Sequence, residues 1–392
     1  MNANNLHLPE IDFNMPITDL IMDLEQLRYK HLEGSTHPLV FLQLKSLFQM
    51  LESIGSSRIE GNNTTVLDYV ESTKLNTIKP INKAEEQIRE IRNIENAMQY
   101  LEDNIEDMPI STLLVRELHQ IVVDGLSADI EGARTPGSFR SHDVHISGST
   151  HVPPPFSEVD HYMAELMDFI NREDKPKYDL LKIAIAHHRF VWIHPFENGN
   201  GRVVRLFTYA MLLKNVFRDR NRIINPTAVF CSDRQAYYDN LSLADSGEDS
   251  GIIQWAQYML EGLKSEIIKI DQLCDYDYLK QNILIPSLND AVAKKFIPPE
   301  HATVLRCAIN KKDQIIQSSD LQTAFPDKSG SDRSRLIHAM KDGGLLLPVQ
   351  ENARKYVISF ENNYWVRCIL ASLDKNGFLP VNDKRHAKSE EM

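Results

Sequence analysis

Residues 194–205 read HPFENGNGRVVR. A histidine, a Gly-Asn-Gly run and two arginines fall in one short stretch. Histidine changes charge closest to neutral pH, and its neutral ring can accept a proton. Gly199, Asn200 and Gly201 form a loop in which the glycines permit positive φ and close backbone approach. The apolar run that follows predicts a helix beginning at this loop. Its free N–H groups and the positive end of its dipole then face the loop, which makes an anion site with phosphate as the natural ligand. Arg202 and Arg205 stand near that helix start, where cations oppose the dipole. They make sense there if a polyanion lies against them. The loop has no Gly-Lys-Ser/Thr of a Walker A loop and no third glycine after a strand. The stretch therefore joins a general-base candidate, His194, to an anion-binding loop.

The elements that must position these residues read mostly as helix. Apolar residues recur at helical spacing over 38–55, with a stop predicted at Gly55. Further helices are predicted over 81–104, 109–126 (with Ser111 as its cap), 158–173, 179–194 and 201–216. The last is the most apolar and is expected to be central. One stretch breaks the pattern. GSFRSHDVHISGSTHVPPP (137–155) carries Val144 and Ile146, a Ser-Gly-Ser turn, Val152 and three prolines. It predicts a short β-hairpin that the prolines end.

The stretch 194–205 resembles the signature of the Fic family, His-Pro-Phe-x-Asp/Glu-Gly-Asn-Gly-Arg-x-x-Arg. The resemblance extends over roughly residues 40–265. It implies a helical bundle with a β-hairpin flap, and transfer of AMP from ATP to a hydroxyl side chain of a protein. It assigns His194 as the base acting on a Ser, Thr or Tyr hydroxyl. Amides around Gly199, Asn200 and Gly201 would hold phosphates, and Arg202 and Arg205 would bind the outer ones. Val144, His145, Ile146 and Ser147 of the flap would border the nucleotide while the flap aligns the target strand. RQAYYDNLSLADSG (234–247) is similar to the segment that contacts adenosine. It would place Tyr237 and Tyr238 at the adenine and Asp245 at a polar contact. One position departs from the signature. The usual magnesium-binding acid falls at Asn198, and the acidic residue is Glu197, one place earlier. Asn198 and Glu197 are thus the residues expected to bear on Mg²⁺, with Asn198 a neutral oxygen donor.

A second motif lies far upstream. SSRIEGNN (56–63) reads by itself as the end of a helix, stopped by Gly61. It is similar to the Fic inhibitory motif, Ser/Thr-x-x-x-Glu-Gly/Asn, through Ser56, Glu60 and Gly61. The resemblance implies that Glu60 pairs with Arg205, takes the place of the γ-phosphate, and restrains the enzyme. Other activities suit the same residues: removal of AMP from a modified protein, with Glu60 positioning a water; a different nucleotide donor; or a DNA-binding regulator with a nucleotide-sensing site.

That last reading comes from the C-terminal quarter. From about residue 291 the sequence gives a helix, a short helix and a third helix, then Gly343-Gly344 and two short strands. This is the order of a winged helix-turn-helix. Its third helix carries Arg333, Arg335, His338 and Lys341, so DNA is a candidate partner. The formal net charge is -12 over 392 residues, yet from residue 294 onward there are 16 basic and 12 acidic residues. The protein as a whole is not built to coat nucleic acid, and only its C-terminal part is weakly basic. The fold class expected is mainly α. The organisation expected is a helical region with the inhibitory motif (1–105), a catalytic core (106–265), a helical linker (266–290), a winged-helix domain (291–380) and a disordered tail (381–392).

Four cysteines, none close in sequence, give no CxxC spacing and suggest free thiols in a reducing compartment. The N-terminus lacks a basic and an apolar signal region, and no apolar run is long enough to span a bilayer. A cytoplasmic location is expected, with no membrane partner. The family resemblance also favours a homodimer.

Overall fold

The computed structural model describes residues 6–29, 34–72, 83–146, 148–217, 223, 226–351 and 353–379. Ser147 and the tail 381–392 lie outside the described residues. The chain divides into two compact units. The first comprises residues 1–31, 49–66 and 77–267, and the second 32–48, 67–76 and 268–392.

The helices that concern the first unit are α1 (Pro16–Tyr29), the second half of α2 (Pro38–Ile59), α4 (Lys83–Asn104), α5 (Thr112–Val123), α6 (Val159–Asn171), α7 (Asp179–Ile193), α8 (Asn200–Met211), α9 (Thr227–Ser232), α10 (Arg234–Ala244) and most of α11 (Asp249–Asp271). A short helix, α3 (Val66–Ser72), follows α2 in sequence. Ser111 caps α5 as expected, accepting the Leu114 N–H at 3.3 Å. The helices α4, α5, α6, α7 and α8 pack on one another. Every residue of α8 from Arg202 to Met211 is buried, so it is the central helix the sequence predicted. Three of those residues, Arg202, Arg205 and Thr208, are polar and spaced by three. A buried polar row must find partners, and the functional site is built from those partners.

Two local expectations are corrected. The helix predicted to stop at Gly55 runs on to Ile59. Gly55, Ser56 and Ser57 are all buried, and packing outweighs the weak helix propensity of these residues. The chain leaves the helix instead at Gly61, whose φ of +101° suits only glycine. Among its described residues the segment 137–155 is a turn between two irregular arms rather than a paired hairpin. The Ser149 N–H donates to the Ile146 carbonyl at 3.2 Å, and no strand forms among the described residues there. Pro153, Pro154 and Pro155 offer no N–H groups for a ladder.

The second unit contains α12 (Tyr276–Tyr278), α13 (Ile285–Ala293), α14 (Pro299–Asn310), a 3₁₀ turn (Ser318–Leu321), α15 (Gly330–Asp342), β1 (Leu346–Pro348), β2 (Tyr356–Ile358) and α16 (Asn363–Lys375). The two strands are antiparallel in the register Leu346↔Ile358, Leu347↔Val357 and Pro348↔Tyr356. An isolated bridge joins Ile316 to Tyr356. The helix, short helix, helix and two strands read from the sequence are therefore present in that order. On α15, Arg335 pairs with Asp332 of its own helix at 3.3 Å, and Arg333 donates to the Lys328 carbonyl at 2.7 Å. His338 and Lys341 are exposed. Among the described residues no helix is long and apolar enough to cross a membrane, and all four cysteines are free thiols.

Candidate active site

The site is the N-terminus of α8 with the loop before it. Gly199 takes φ +78° and Asn200 opens the helix. The loop is closed by one side chain. Asn200 accepts the Phe196 N–H through Oδ1 and donates through Nδ2 to the Phe196 carbonyl, both at 2.9 Å. Phe196 is fully buried and stacks on His119, with ring centroids 3.8 Å apart. His119 Nδ1 accepts the Gly137 N–H at 2.8 Å, so its other nitrogen carries the proton and donates to the Asn198 carbonyl at 3.2 Å. Burial holds this imidazole neutral, pushing it down to about 4. His119 thus fixes the loop from below.

Arg205 is buried and directed at the end of α2. Its Nε donates to Ser56 Oγ at 2.8 Å, and Nη2 donates to the Ser56 carbonyl at 2.9 Å and to Glu60 Oε1 at 2.7 Å. Ser56 and Glu60, four apart, share one face of α2 and its end. Burial alone would raise the Glu60 carboxyl. The charge and hydrogen bond of Arg205, with Arg202 and Arg234 nearby, outweigh that and hold it below the usual carboxylate range. The carboxylate also lies directly over Gly201, where a Cβ would strike its Oε1.

Arg202, one turn earlier, also has acidic partners. Nη2 donates to the carbonyl and to Oε2 of Glu131, at 2.8 and 2.9 Å, and Nη1 is 3.4 Å from Glu90 Oε1. Burial pushes the Glu90 carboxyl up to about 7 and raises that of Glu131. Three carboxylates therefore surround two guanidiniums. Arg205 is thus faced by Glu60, and Arg202 by Glu131 and Glu90.

His194 ends α7 in the left-handed conformation, with φ 50° and ψ 62°. That is rare for a non-glycine residue and needs support from its surroundings. The support comes from Arg140, whose Nε donates to the His194 carbonyl at 2.9 Å. The His194 Nδ1 is buried beside the Val191 backbone, without a well-aligned hydrogen bond. Burial pushes the imidazole down to about 4; the Val191 backbone and the Glu60 charge oppose this, and the Arg140 and His151 charges add to it. At neutral pH the ring is uncharged and can accept a proton.

The two residues expected at a metal make other contacts here. Asn198 Nδ2 donates to the Ile130 carbonyl at 3.0 Å, and its Oδ1 accepts the Gly199 N–H at 2.7 Å. Glu197 lies 3.6 Å from Arg134. Both donor groups are engaged elsewhere, and no group of three or more His, Cys, Asp or Glu suited to a metal occurs among the described residues.

The residues expected at the nucleotide base are only partly gathered. Tyr237 is buried among Phe230, Trp255 and His187, and its hydroxyl sits 2.9 Å from His187 Nε2. It is enclosed near Arg205 rather than presenting an open face. Tyr238 is 38% exposed and stacks with Arg234. Asp245 bonds His188 at 2.9 Å and lines a cavity of about 660 Å³ with Trp192, Tyr162 and Arg189, to which no residue of 194–205 contributes. Val144 and Ile146 are half-buried and His145 is exposed. Sequence reasoning missed Arg140, His119, Glu90 and Glu131. His119 could have been noticed as a histidine on the apolar face of α5. The others carry no local signal, because the site residues they meet, His194 for Arg140 and Arg202 for Glu90 and Glu131, lie tens of residues away.

Residues 109–212 match the family model described as Fic/DOC family. The chain is 30% identical to protein adenylyltransferase Fic of Drosophila willistoni over 192 residues, 48% of this chain and 36% of that protein. It is 27% identical to protein adenylyltransferase Fic of Drosophila erecta over 243 residues, 59% of this chain and 46% of that protein. The first of these matches thus spans about a third of its curated relative and the second just under half. A crystal structure of a Fic family protein from Desulfovibrio desulfuricans resembles it with TM-score 0.54 at 20% identity, covering 90% of this chain and 98% of that one. A Fic domain containing signaling protein from Bacteroides thetaiotaomicron gives TM-score 0.52 at 18% identity, covering 65% and 96%.

Proposed function

Starting from the Fic domain that residues 109–212 form, we propose that this chain transfers AMP from ATP to a hydroxyl of a protein, its own or a target's, and that Glu60 restrains the transfer. The observation that carries the proposal is the arrangement around α8. A neutral, half-buried His194 with a buried Nδ1 stands at one end of the loop. At the other, Arg205 is held by a carboxylate where a phosphate would sit.

His194 removes the proton of an incoming Ser, Thr or Tyr hydroxyl. The oxygen attacks the α-phosphorus. The bond from that phosphorus to the α–β bridging oxygen breaks, and diphosphate leaves with that oxygen. The first N–H groups of α8 stabilise charge on the phosphates, and Arg202 and Arg205 neutralise the leaving group. Glu60 on Arg205 denies the γ-phosphate its seat. ATP then binds with its α-phosphate out of line, and a displacement of about 1 Å can cost ~10²-fold in rate.

The test uses the Glu60→Gly chain with ATP labelled on the α-phosphate. Label is expected on protein with Glu60→Gly and not with Glu60→Gly/His194→Ala. Equal labelling of the two would remove His194 from the role of base.

A further inference from the structure

Of the buried arginines in the first unit, Arg140 alone lies against the His194 backbone. Its side chain has no exposed surface, and its nearest carboxylate, the largely exposed Asp143, is 3.7 Å away. Burying a guanidinium without a closely bonded carboxylate is costly. The charge is spent on backbone carbonyls instead. Nε donates to His194 O at 2.9 Å, and Nη2 to Pro154 O at 2.6 Å and Ile193 O at 3.4 Å. Nη1 donates to His142 O at 3.2 Å, and the Arg140 backbone N–H reaches Pro195 O at 2.9 Å. These carbonyls belong to three places: the end of α7 with the His194–Pro195 turn that follows it, the arm at 141–146, and the arm at 148–155.

Capping α7 would need only a cation near its last carbonyls, and an exposed lysine could supply it. It would not need bonds to His142 and Pro154. A planar fork with five donors can bond several fixed carbonyls at once, whereas an ammonium cannot. His151 adds a second tie from the same arm to α7, with Nε2 2.8 Å from Trp192 O. Arg140 touches neither Arg202, Arg205 nor Gly199–Gly201.

We propose that Arg140 is a positioning residue that locks the His194 backbone to the two arms beside it, so that base and acceptor hydroxyl meet in register. It acts through His194 and so rests on the reading of His194 as base. A consequence is that its loss slows the chemical step while leaving the nucleotide seat intact.

The test uses the full chain in the Glu60→Gly background, with labelled ATP and self-modification as the readout. Arg140→Gln is expected to lower the rate at saturating ATP by at least ~30-fold, with half-saturating ATP changed less than ~3-fold. Arg140→Lys, which keeps the charge without the fork, should fall between and serves if the glutamine variant fails to fold. In parallel, hydrogen–deuterium exchange of peptides 148–155 and 190–199 should quicken in both segments of Arg140→Gln. The inference is overturned by an unchanged rate, by half-saturating ATP rising in step with the loss of rate, or by unchanged exchange. If the Glu60→Gly parent itself transfers nothing, the adenylyl-transfer reading fails, and the exchange measurement still decides the role of Arg140.

Discussion

Glu60 and Gly201 compete for one position: the carboxylate of the first lies where a side chain on the second would begin. The only residue without a side chain in the first turn of α8 is therefore the one beneath the Glu60 carboxylate. The next atoms around that point are Glu60 Cδ at 3.0 Å and Arg205 Nη1 at 3.1 Å. An anion that replaces Glu60 must use the same space.

Gly201→Ala should accordingly block the nucleotide even after the carboxylate is gone. In the Glu60→Gly background we expect the added methyl to weaken ATP binding by about 10-fold or more, read by calorimetry. Unchanged affinity would mean that the phosphates lie elsewhere.

Arg202 is the second cation of the site and is tied to Glu131 and Glu90. Glu131→Gln keeps the size of the side chain and removes one negative charge. ATP affinity in the Glu60→Gly background should rise by about 3- to 10-fold, since less charge must be displaced. A fall in affinity would show that Glu131 holds Arg202 in its binding pose rather than competing for it.

Acidity gives a third expectation. Burial depresses the His194 imidazole to about 4, so the neutral base persists as pH falls and is lost only near that value. The acidic limb of kcat/KM for Glu60→Gly should therefore lie well below the ordinary imidazole value of about 6.5. Arg140 and His151 push it down, and removing the Glu60 charge pushes it further. A limb at or above 6.5 would contradict a ring held neutral by burial. The Glu60 carboxyl is itself held low by Arg205, so the Glu60–Arg205 ion pair is present above the usual carboxylate range and is lost only as pH falls through the depressed value.

Asn198 invites replacement by the acid common in the family signature. Here Asn198 Nδ2 donates to the Ile130 carbonyl, which an aspartate could not do. Asn198→Asp should lower the melting temperature by a few degrees without metal, as a carboxylate would face a carbonyl. An equal or higher melting temperature would show that this bond contributes nothing.

Much of this site was legible in the sequence. The stretch 194–205 announced base, loop and cations because they are consecutive, and a helix start converts their order into geometry. The Glu60–Arg205 pair was reachable only through the resemblance of a second motif, since nothing local links positions 145 residues apart. Arg140, Glu90 and Glu131 were illegible for the same reason, with no motif to announce them. Tyr237 shows the opposite failure. An aromatic at helical spacing reads equally as core or pocket wall, and here it is enclosed with His187 and Trp255. The helix running past Gly55 was misjudged because burial of Ser56 and Ser57 outweighs the local stop signal.

The central claim is that Glu60 restrains a competent transferase. The most direct measurement is protein-bound label from α-labelled ATP, wild type against Glu60→Gly, at equal concentration and matched folding. We expect Glu60→Gly to label itself or added protein at least ~10-fold faster, with labelling lost in Glu60→Gly/His194→Ala. Equal labelling by wild type and Glu60→Gly would contradict it.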